Sequence, residues 1–528
     1  MKALAYAAQM RELDRTAIED RGIPSLDLME RAARAAADEA VRLLSAEGGM
    51  ARKRFAAAVF CGPGNNGGDG VAMARMLLEQ GLVVHAYLVG DREKMTPDER
   101  AMEEKLKAAG GSLTAFDPAD GQEKLFTDSC DLCVDALFGV GLCREVSGDF
   151  AEAIRWMNEA PCPVLACDIP SGVSADTGDI LGTAVRADVT VTFSCVKPGL
   201  YLGEGGPLAG KILVADIGIP ADLIEEQIGN ARPALRLMEE TAGLLPRRSR
   251  TAHKGNFGRA FILAGSEGYT GAPVLASKAA VRSGAGLVFL GVPQSIYPIA
   301  AVKCDEAMPY PLPPDYARIL EKAESFDVAL IGPGLGRSPR TDGIVRSLLR
   351  DLEIPVVLDA DGINALAGHI DILDRRKAPT VLTPHDGEFQ RLTGCKIPVL
   401  NRLNVTKDFA AAHNCIMILK GHNTVTAAPD GRAFLNATGN PGMAKGGSGD
   451  VLAGLLTGLL AQKLGDPAVT CALGVCLHGQ AGDRCAEALG EYGMTPTDML
   501  EQLPLVLKDS TAQSESEEGL CAEHWFAY

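Results

Sequence analysis

The sequence predicts an α/β protein of two domains, each built on a parallel β-sheet that helices cover on both faces. The chain has 528 residues, which is too many for one hydrophobic core. Short, nearly continuous apolar runs recur along it and alternate with segments of helical periodicity. This is the pattern of buried parallel strands. The pattern loosens between residues 222 and 253, and we therefore predict domains at 1–225 and 226–508.

The first series of elements begins with helical periodicity over residues 12–46. An apolar strand then breaks into the glycine-rich loop "CGPGNNGGDG", and the helix "VAMARMLLEQG" follows it. The later strands of this series are "VVHAYLVG", "DLCVDALFG", "PVLACDIPSG", "DVTVTFSC" and "KILVADIGI".

The second series follows the basic segment "PRRSRTAHKG". Its strands are "RAFILAGS", "GLVFLGVP", "VALIGPGLG", "PVVLDADG", "PTVLTPH", "IMILKG" and "TVTAAPDGRAFLNATG". The polar segment that ends the chain predicts a disordered tail over residues 509–528.

The charge balance argues against nucleic acid as a partner. The chain has 51 Lys and Arg against 68 Asp and Glu, a net charge of −17, and an acidic surface repels phosphate backbones. The sequence has no signal-peptide core and no apolar run of membrane-spanning length. We therefore expect a cytoplasmic protein that does not associate with membranes.

The fourteen cysteines are scattered, often inside apolar runs. Buried thiols in a reducing compartment explain this distribution better than disulfides do. Cys130 and Cys133 form one C-x-x-C, but no second pair or histidine follows at zinc spacing. The sequence therefore favours buried thiols over a metal or redox site at this motif.

The loop "CGPGNNGGDG", residues 61–70, is the first candidate binding site. Ligands of open α/β sheets bind beyond the carboxyl ends of strands, and glycines let backbone N–H groups approach a ligand closely. The spacing matches neither the dinucleotide fingerprint nor the P-loop. A tight strand-to-helix turn is the alternative, but so many glycines and amides together favour a ligand.

Two more strands of this half end in loops with polar side chains. "VDALFGVGLCRE" has Asp135 near a strand end, and "CDIPSG" has Asp168 and Ser171 at another. Each Asp alone is equally well explained as a helix cap. The convergence of three polar strand ends predicts one shared crevice.

The stretch "GNPGMAKGGSGD" is the main candidate of the second half. The backbone N–H groups of residues 446–449 predict an anion nest at a helix N-terminus. Asp450 would repel phosphate there, and it is better suited to act as a base that takes a proton from an attacking hydroxyl. The alternative is an N-cap Asp on a core helix.

Four weaker signals accompany this loop. Lys420 and Gly421 follow a strand and suit nucleotide phosphates or ribose. "LTPHDGEFQRL" has His385 and Glu388, with helix capping by Thr383 or Asp386 as the alternative. "IGPGLGRS" is unspecific by itself. The small residues of the flexible strand-to-helix loop that contains Ala272 would let a helix lie close to the sheet or to a ligand.

Taken together, these motifs resemble the bacterial bifunctional NAD(P)H-hydrate repair enzymes, over roughly residues 5–508. "MRELDRTAIEDRGIPSLDLMERA", "CGPGNNGGDG" and "CDIPSG" resemble the signatures of the epimerase domain. "HKGNFG", "GPGLG", "DADGINAL", "TPHDGEF" and "NPGMAKGGSGDVLAG" resemble those of the ADP-dependent dehydratase domain. The resemblance implies a Rossmann-like three-layer sandwich followed by a ribokinase-like α/β domain.

The activity that the resemblance implies is repair of hydrated NADH and NADPH. The first domain would interconvert R and S hydrates formed at the nicotinamide C6. The second would phosphorylate the hydroxyl of the S hydrate from ADP, leaving AMP, and loss of phosphate would restore the double bond. The resemblance implies K⁺ in the epimerase, Mg²⁺ in the dehydratase, ADP as co-substrate and a homo-oligomer.

Site residues follow from the resemblance position by position. In the first domain Asp168 would be catalytic, Asn66, Asp135 and Ser171 would hold K⁺, and the hydrate would bind at Asn65, Asn66, Gly67, Gly68, Asp69, Gly139, Val140, Gly141, Leu142, Cys143, Arg144, Glu145 and Asp168. In the second domain Asp450 would be catalytic, and the hydrate would bind at Ala272, Gly334, His385 and Asp450. ADP would bind at Lys420, Gly421, His422, Asn423, Thr424, Asn440, Pro441, Gly442, Met443, Ala444, Lys445, Gly446, Gly447, Ser448 and Gly449.

The sequence departs from the family where Val140 replaces a residue that is commonly Thr. The nearest rival is a ribokinase-like small-molecule kinase, of the hydroxymethylpyrimidine or hydroxyethylthiazole type, fused to a nucleotide-binding domain. A second rival is a first half that binds a ligand without catalysis. "TPHDGEF" and the fused "NNGGDG" half favour the repair enzyme over the kinase. The polar cluster of Asn66, Asp135 and Asp168 argues against the non-catalytic first half.

Overall fold

The computed structural model describes residues 1–47, 55–231 and 234–512, and the chain divides into two compact units. The first unit is Ala3–Arg232. The second is Pro233–Tyr528 together with Met1–Lys2. Strand β1 (Lys2–Ala3) opens the chain as an edge strand of the second unit's sheet.

The first unit has seven parallel strands in the order β4-β3-β2-β5-β6-β7-β8, which are β2 (Ala56–Cys61), β3 (Val83–Leu88), β4 (Leu113–Ala115), β5 (Leu132–Ala136), β6 (Val164–Cys167), β7 (Val189–Phe193) and β8 (Lys211–Ala215). Its helices are α1 (Ala7–Arg15), α2 (Ser25–Glu47), α3 (Asn65–Glu79), α4 (Pro97–Ala108), α5 (Gly121–Ser129), α6 (Asp149–Glu159) and α7 (Ala221–Ile224).

Side-chain alternation along the strands produces two cores in this unit. Ala57 and Val59 of β2 face one side, where they pack with α2 and α3. Phe60 faces the other side, where it packs with Trp156 of α6. Because both faces are buried, the central strands β2 and β6 are apolar at every position. The predicted sheet with helices on both faces is confirmed.

The second unit has an eleven-stranded sheet in the order β1-β9-β18-β17-β16-β15-β14-β13-β10-β11-β12. Its own strands are β9 (Leu235–Met238), β10 (Arg259–Leu263), β11 (Leu287–Val292), β12 (Met308–Pro311), β13 (Val328–Ile331), β14 (Val356–Leu358), β15 (Thr380–Leu382), β16 (Ile416–Leu419), β17 (Val425–Ala427) and β18 (Ala433–Asn436). The sheet is parallel from β12 to β16, but β17 pairs antiparallel with both β16 and β18. The expected wholly parallel sheet is thus mixed, because the turn "PDGR" closes a hairpin.

The helices of the second unit lie on both faces of its sheet. They are α8 (Gly271–Arg282), α9 (Tyr297–Lys303), α10 (Tyr316–Glu324), α11 (Pro339–Asp351), α12 (Asp361–Asn364), α13 (Asp371–Asp374), α14 (Asp386–Thr393), α15 (Arg402–Ala412), α16 (Ser448–Ala461), α17 (Pro467–Gly493) and α18 (Pro496–Asp509). Helix α16 is buried on nearly every side, and a side chain at Gly454 would collide with the Ala276 backbone of α8. None of the helices in the described part of the chain has the length and apolar character that crossing a membrane requires.

Several boundaries differ from those that the sequence predicts. Helix α3 begins at Asn65, so the segment "NNGGDG" is its first turns and not a loop. The single helical segment predicted for 12–46 is broken between Arg21 and Pro24. At the end of the chain, α18 runs to Asp509, and Thr511 forms a bridge with Leu245. Residues 513–528 of the predicted tail lie outside the described residues.

Candidate active sites

A cavity of about 580 Å³ lies in the first unit, where β2, β5 and β6 end. Its predicted site residues are Asn65, Asn66, Asp69, Gly139, Val140, Gly141, Leu142, Cys143, Arg144 and Asp168. Gly67, Gly68 and Glu145 do not line it, and Asp135 and Ser171 are buried behind its wall. The carboxyl ends of three strands therefore bring most of the predicted residues to one crevice.

The glycines at the start of α3 serve packing more than ligand approach. A Cβ added at Gly67 would lie 1.7 Å from the Gly62 carbonyl oxygen, and one added at Gly68 would lie 2.6 Å from the Met29 methyl group. At Gly70 it would lie 2.5 Å from the Ala136 side chain. These contacts let α3 start close to the strand ends, which aims Asn65, Asn66 and Asp69 into the cavity.

We expect Gly67→Ala to lower the free energy of unfolding of the first unit by at least about 2 kcal/mol, because the new methyl group cannot avoid a backbone oxygen. Gly64→Ala is the matched control, since a Cβ there meets nothing within 4 Å and the φ of 169° is extended backbone. Chemical denaturation of both variants measures the difference. Equal stabilities would contradict the packing role of Gly67.

Asp168 is held by a buried lysine that the sequence reasoning missed. Lys197 Nζ donates to Asp168 Oδ1 at 2.5 Å, to Thr192 Oγ1 at 3.0 Å and to the Phe193 carbonyl oxygen at 3.0 Å. All three ammonium protons are thereby used, and the lysine is 1% exposed. Asp168 itself has a φ of 68° and follows β6 with no helix after it, so it is not a helix cap.

The other carboxyl oxygen of Asp168, Oδ2, points towards the loop after β5. A Cβ at Gly139 would lie 3.3 Å from it and 3.4 Å from Asn66 Oδ1. Gly139 therefore leaves the space between these two oxygens open. Lys197 Nζ, Thr192 Oγ1 and the Phe193 backbone N–H all donate to Oδ1. Oδ2 is therefore the oxygen that faces a ligand in the cavity.

Two further carboxyl groups make the cavity unusually acidic. Burial raises the pKa of Asp14 to about 6. Lys197 opposes this increase, and the negative charge of Asp168 adds to it. Burial, with Asp168 and Asp14, raises the pKa of Asp69 well above its usual range. A proton therefore remains available in this cluster near neutral pH.

Asp135 and Ser171 form a buried pair behind the cavity. Asp135 accepts from Ser171 Oγ at 2.6 Å, from Ser171 N at 2.7 Å and from Leu137 N at 3.2 Å. Burial raises its pKa to about 6, although these hydrogen bonds favour the charged form. Asp135 lies inside β5, so the helix-cap alternative is wrong for it as well.

Two buried polar atoms near this cavity have no hydrogen-bond partner among the described residues. They are Asn66 Nδ2 and Glu99 Oε1. Glu99 Oε2 accepts from Gly64 N at 2.9 Å, and burial raises the Glu99 pKa to about 7. Unsatisfied buried polar atoms are rare in proteins, and these two suit a bound polar ligand or ion.

A second cavity of about 800 Å³ lies in the second unit. Its predicted site residues are His385, Lys420, Gly421, His422, Asn423, Thr424, Asn440, Pro441, Met443, Ala444, Lys445, Gly446, Gly447, Ser448, Gly449 and Asp450. Gly442 is turned away and packs against Met494. The loop before α16 and the strand end at Lys420 thus form one wall of a single cavity.

Asp450 lies in the first turn of α16, and Gly447, with a φ of 105°, is the N-cap of that helix. The alternative of an N-cap Asp450 is therefore wrong. Burial raises the pKa of Asp450 to about 7, with Asp359 and Glu388 raising it further and Lys420 lowering it. This is a carboxyl group poised to exchange a proton near neutral pH.

Lys420 lies among three carboxylates. Its Nζ is 2.9 Å from Asp359 Oδ1 and 3.9 Å from Glu388 Oε2. Asp359 also accepts from Thr383 Oγ1 at 2.7 Å. Burial lowers the Lys420 pKa, but the attraction of Asp359, Glu388 and Asp450 outweighs it and leaves the pKa raised. Lys420 is therefore a fixed positive charge in the cavity.

The N-cap of α14 is His385. The alternative that Thr383 or Asp386 caps this helix is therefore wrong. His385 Nδ1 accepts from Gly387 N at 2.9 Å and from Glu388 N at 3.4 Å. Glu388 Oε2 accepts from His385 N at 3.0 Å in return. Because Nδ1 is the acceptor, Nε2 has the proton, and it lies 3.5 Å from Glu388 Oε1.

The glycine loop before α16 has the features of an anion site. Ser448 Oγ is buried without a partner among the described residues, and a Cβ at Gly449 would lie 3.3 Å from Lys420 Nζ. His478, which the sequence reasoning missed, binds the Ser448 carbonyl through Nε2 at 2.9 Å. Burial lowers the His478 pKa to about 4, so it is neutral. Lys445 instead donates to the carbonyls of Tyr492 and Met494.

The remaining predicted residues, Ala272 and Gly334, lie beside this cavity without lining it. A Cβ at Gly334 would lie 3.0 Å from the Ala272 Cβ, and their loops follow the neighbouring strands β10 and β13. Asp359 directly follows the adjoining strand, β14. All three loops therefore occupy the same edge of the sheet.

Comparison with known proteins gives two family matches. The profile described as YjeF-related protein N-terminus matches residues 25–199, and the profile described as NAD(P)H-hydrate dehydratase matches residues 260–505. Each match falls within one of the two units; the first includes most of the residues that line its cavity, and the second includes all of them.

Curated relatives align with almost the whole chain. The bifunctional NAD(P)H-hydrate repair enzyme Nnr of Moorella thermoacetica is 40% identical over 97% of this chain and 98% of its own length. The enzyme of the same name from Escherichia coli is 34% identical over 97% of this chain and 96% of its own. A solved structure, the ADP/ATP-dependent NAD(P)H-hydrate dehydratase from Bacillus subtilis co-crystallized with ATP/Mg²⁺, is 33% identical, covers 53% of this chain and 100% of that one, and has a TM-score of 0.46.

Proposed function

Because the chain belongs to the family of bifunctional NAD(P)H-hydrate repair enzymes, we propose that its two cavities perform the two reactions of that repair. The first unit interconverts the R and S hydrates of NADH and NADPH. The second unit dehydrates the S form with ADP and releases NAD(P)H, AMP and phosphate. The observation that carries this proposal is the pair of separate cavities, each with an Asp near a Lys. Asp168 and Lys197 are buried, whereas Asp450 and Lys420 are half-buried.

In the first unit Asp168 acts on the hydrated carbon of the ring. Epimer exchange needs the substituent at that carbon to leave and return on the other face, and each step moves a proton. Asp168 Oδ2 faces the cavity while Lys197 fixes Oδ1, so the carboxylate is oriented to exchange that proton. Asp69 and Asp14, with raised pKa values, hold the proton nearby.

The buried Asp135 fits a K⁺ ion together with Asn66 and Ser171. All three side chains offer oxygen, which hard cations prefer. Asp135 is fully buried, and among the described residues its hydrogen-bond partners are neutral groups. A buried carboxylate without a cationic partner is costly. A K⁺ ion would supply the missing positive charge and stabilise the loops that follow β5 and β6.

We expect replacement of K⁺ by tetramethylammonium to lower both the epimer exchange rate and the unfolding midpoint of the first unit, because the Asp135 charge loses its partner. Differential scanning calorimetry in the two salts at equal ionic strength measures the midpoint. Asp135→Asn should abolish the difference between the salts. A midpoint of the wild-type chain that is the same in both salts would contradict K⁺ binding.

In the second unit Asp450 acts as the base of phosphoryl transfer. It takes the proton of the hydrate's hydroxyl as that oxygen attacks the β-phosphoryl group of ADP. The backbone N–H groups of residues 446–449 and the charge of Lys420 hold the phosphates. Phosphorylation makes a leaving group better than hydroxide, and its loss restores the ring double bond.

The carboxylates around Lys420 also fit Mg²⁺. Mg²⁺ binds through one or two carboxylates plus substrate phosphates, and Asp359 and Glu388 line the cavity beside the anion loop. Bound there with the nucleotide, Mg²⁺ would neutralise phosphate charge.

We expect the rate of ADP-dependent dehydration to rise with pH through about 7, because Asp450 must be ionised to take a proton and its pKa is raised to about 7. Below that value the rate should fall about tenfold per pH unit, as the ionised fraction does. Initial rates at saturating ADP, corrected for a blank without enzyme at each pH, measure the profile. A flat profile between about pH 6 and 8 would contradict this role.

The proposal is tested by adding the protein to a blend of R and S hydrates of NADH with ADP and Mg²⁺ and following reduced-nicotinamide absorbance. We expect recovery of both epimers faster than spontaneous exchange allows. Recovery of the S fraction alone would refute the epimerase activity of the first unit. Absence of recovery with ADP and with ATP would favour the small-molecule kinase.

A further inference from the structure

Three cysteine thiols meet at the edge of the first sheet that lies opposite its active-site cavity. Cys130 follows α5 and Cys133 is in β5, while Cys162 lies in the turn before β6. The parallel strands β5 and β6 start at this edge, and Asp135 and Asp168 lie at their other ends, inside β5 and just after β6. A strand of four residues spans roughly 13 Å, so this cluster is separate from the catalytic carboxylates.

The three sulfur atoms are nearly equidistant. The Sγ separations are 3.8 Å for Cys130 and Cys133, 3.7 Å for Cys130 and Cys162, and 3.7 Å for Cys133 and Cys162. Zinc–sulfur bonds of about 2.3 Å in a tetrahedron hold neighbouring sulfur atoms about 3.8 Å apart. The thiols thus form one face of a tetrahedron of the size that Zn²⁺ requires.

We propose that Cys130, Cys133 and Cys162 bind one Zn²⁺ ion. As three Zn–S bonds form, the three thiols lose their protons to solvent and no oxidation occurs. A disulfide requires an S–S distance of about 2.0 Å and involves two sulfurs only, so it does not account for the third equidistant thiol.

The surroundings of the cluster suit a structural ion. Cys130 and Cys133 are buried in the apolar core beside Trp156, and Cys162 is half-buried, which leaves a path for the ion. Among the described residues, no fourth Cys, His, Asp or Glu has its ligand atom within 4.8 Å of all three sulfurs. Water completes the tetrahedron. The ion ties the turn before β5 to the turn before β6 and stabilises the sheet between them.

The first test is metal content. The full chain is reduced, loaded with Zn²⁺ without oxygen, freed of loose metal by gel filtration and analysed by mass spectrometry for zinc. We expect one Zn²⁺ per chain, and Cys162→Ser should lower the affinity by at least about tenfold. Cys395→Ser, a half-buried cysteine of the second unit, is the matched control and should retain the ion.

The second test needs no variant. Co²⁺ added to the wild-type chain should give sulfur-to-metal charge-transfer absorption and the strong visible bands of tetrahedral cobalt, and Zn²⁺ should displace both. Removal of Zn²⁺ should lower the unfolding midpoint of the first unit by several degrees. Absence of these bands, equal zinc in Cys162→Ser and wild type, or retention of Cu⁺ but not Zn²⁺ would overturn the proposal.

Discussion

Asp450→Asn is expected to lower the rate of ADP-dependent dehydration by roughly 10²- to 10⁴-fold, the contribution of a positioned general base. The substitution keeps the shape of the side chain and removes its ability to take a proton. Because Asp450 is not the N-cap of α16, the helix start remains intact. The effect should therefore fall on turnover more than on ADP affinity.

Single-turnover rates with purified S hydrate, together with ADP affinity by calorimetry, measure both quantities. Asp430→Asn is the matched control, since this exposed carboxylate pairs with Arg432 outside the cavity. The same Asp450→Asn variant should exchange the epimers at the wild-type rate, which would show that its first unit is intact. A variant with wild-type turnover would remove Asp450 from the mechanism.

Asp168→Asn is expected to slow epimer exchange by roughly 10²- to 10⁴-fold, because the proton exchanged at the hydrated carbon loses its carrier. Asn is the appropriate replacement, since it tolerates the left-handed backbone that Asp168 adopts at a φ of 68°. In Asp168→Ala, the effect of losing the carboxylate could not be separated from the effect of backbone strain at this position. Asn can also keep the hydrogen bond from Lys197.

Exchange between R and S hydrates is measured by chromatography with no ADP present, so that the second reaction does not run. Asp222→Asn is the control, because this exposed carboxylate pairs with Arg21 at 3.0 Å and lies outside the cavity. Dehydration of S hydrate by Asp168→Asn should equal that of wild type. Unchanged epimer exchange in Asp168→Asn would refute its catalytic role.

The central strands and the edge strand β8 were predictable from sequence, but the edge strands β4 and β12 were not. Strands buried on both faces are apolar at every position, as β2 and β6 are. β4 and β12 are the outer strands of their sheets, only three and four residues long. Short, half-exposed strands have no continuous apolar run, and in β12 two prolines conceal the pattern further.

The start of α3 was misplaced for a related reason. Glycine is a poor helix former, so the sequence favours a loop over residues 61–70. Tertiary packing decides otherwise, since Gly67 and Gly70 are the positions where α3 approaches Gly62 and Ala136 too closely for a side chain.

The site was predictable where one loop supplies several groups and hidden where a partner comes from elsewhere in the chain. Strand ends identified Asp135, Asp168 and Lys420. Lys197 reaches Asp168 from 29 residues away, and Cys162 reaches Cys130 from 32 residues away. Such pairings depend on which strands become neighbours, and spacing along the chain does not encode that.

The central claim is that one chain has two independent active sites, one at Asp168 and one at Asp450. The most direct test supplies purified R hydrate of NADPH with ADP and Mg²⁺ and follows the return of reduced-nicotinamide absorbance. We expect Asp168→Asn or Asp450→Asn alone to give no more than spontaneous conversion, and an equimolar mixture of the two to restore it. A mixture as inactive as either variant, or full conversion by Asp168→Asn alone, would contradict the account.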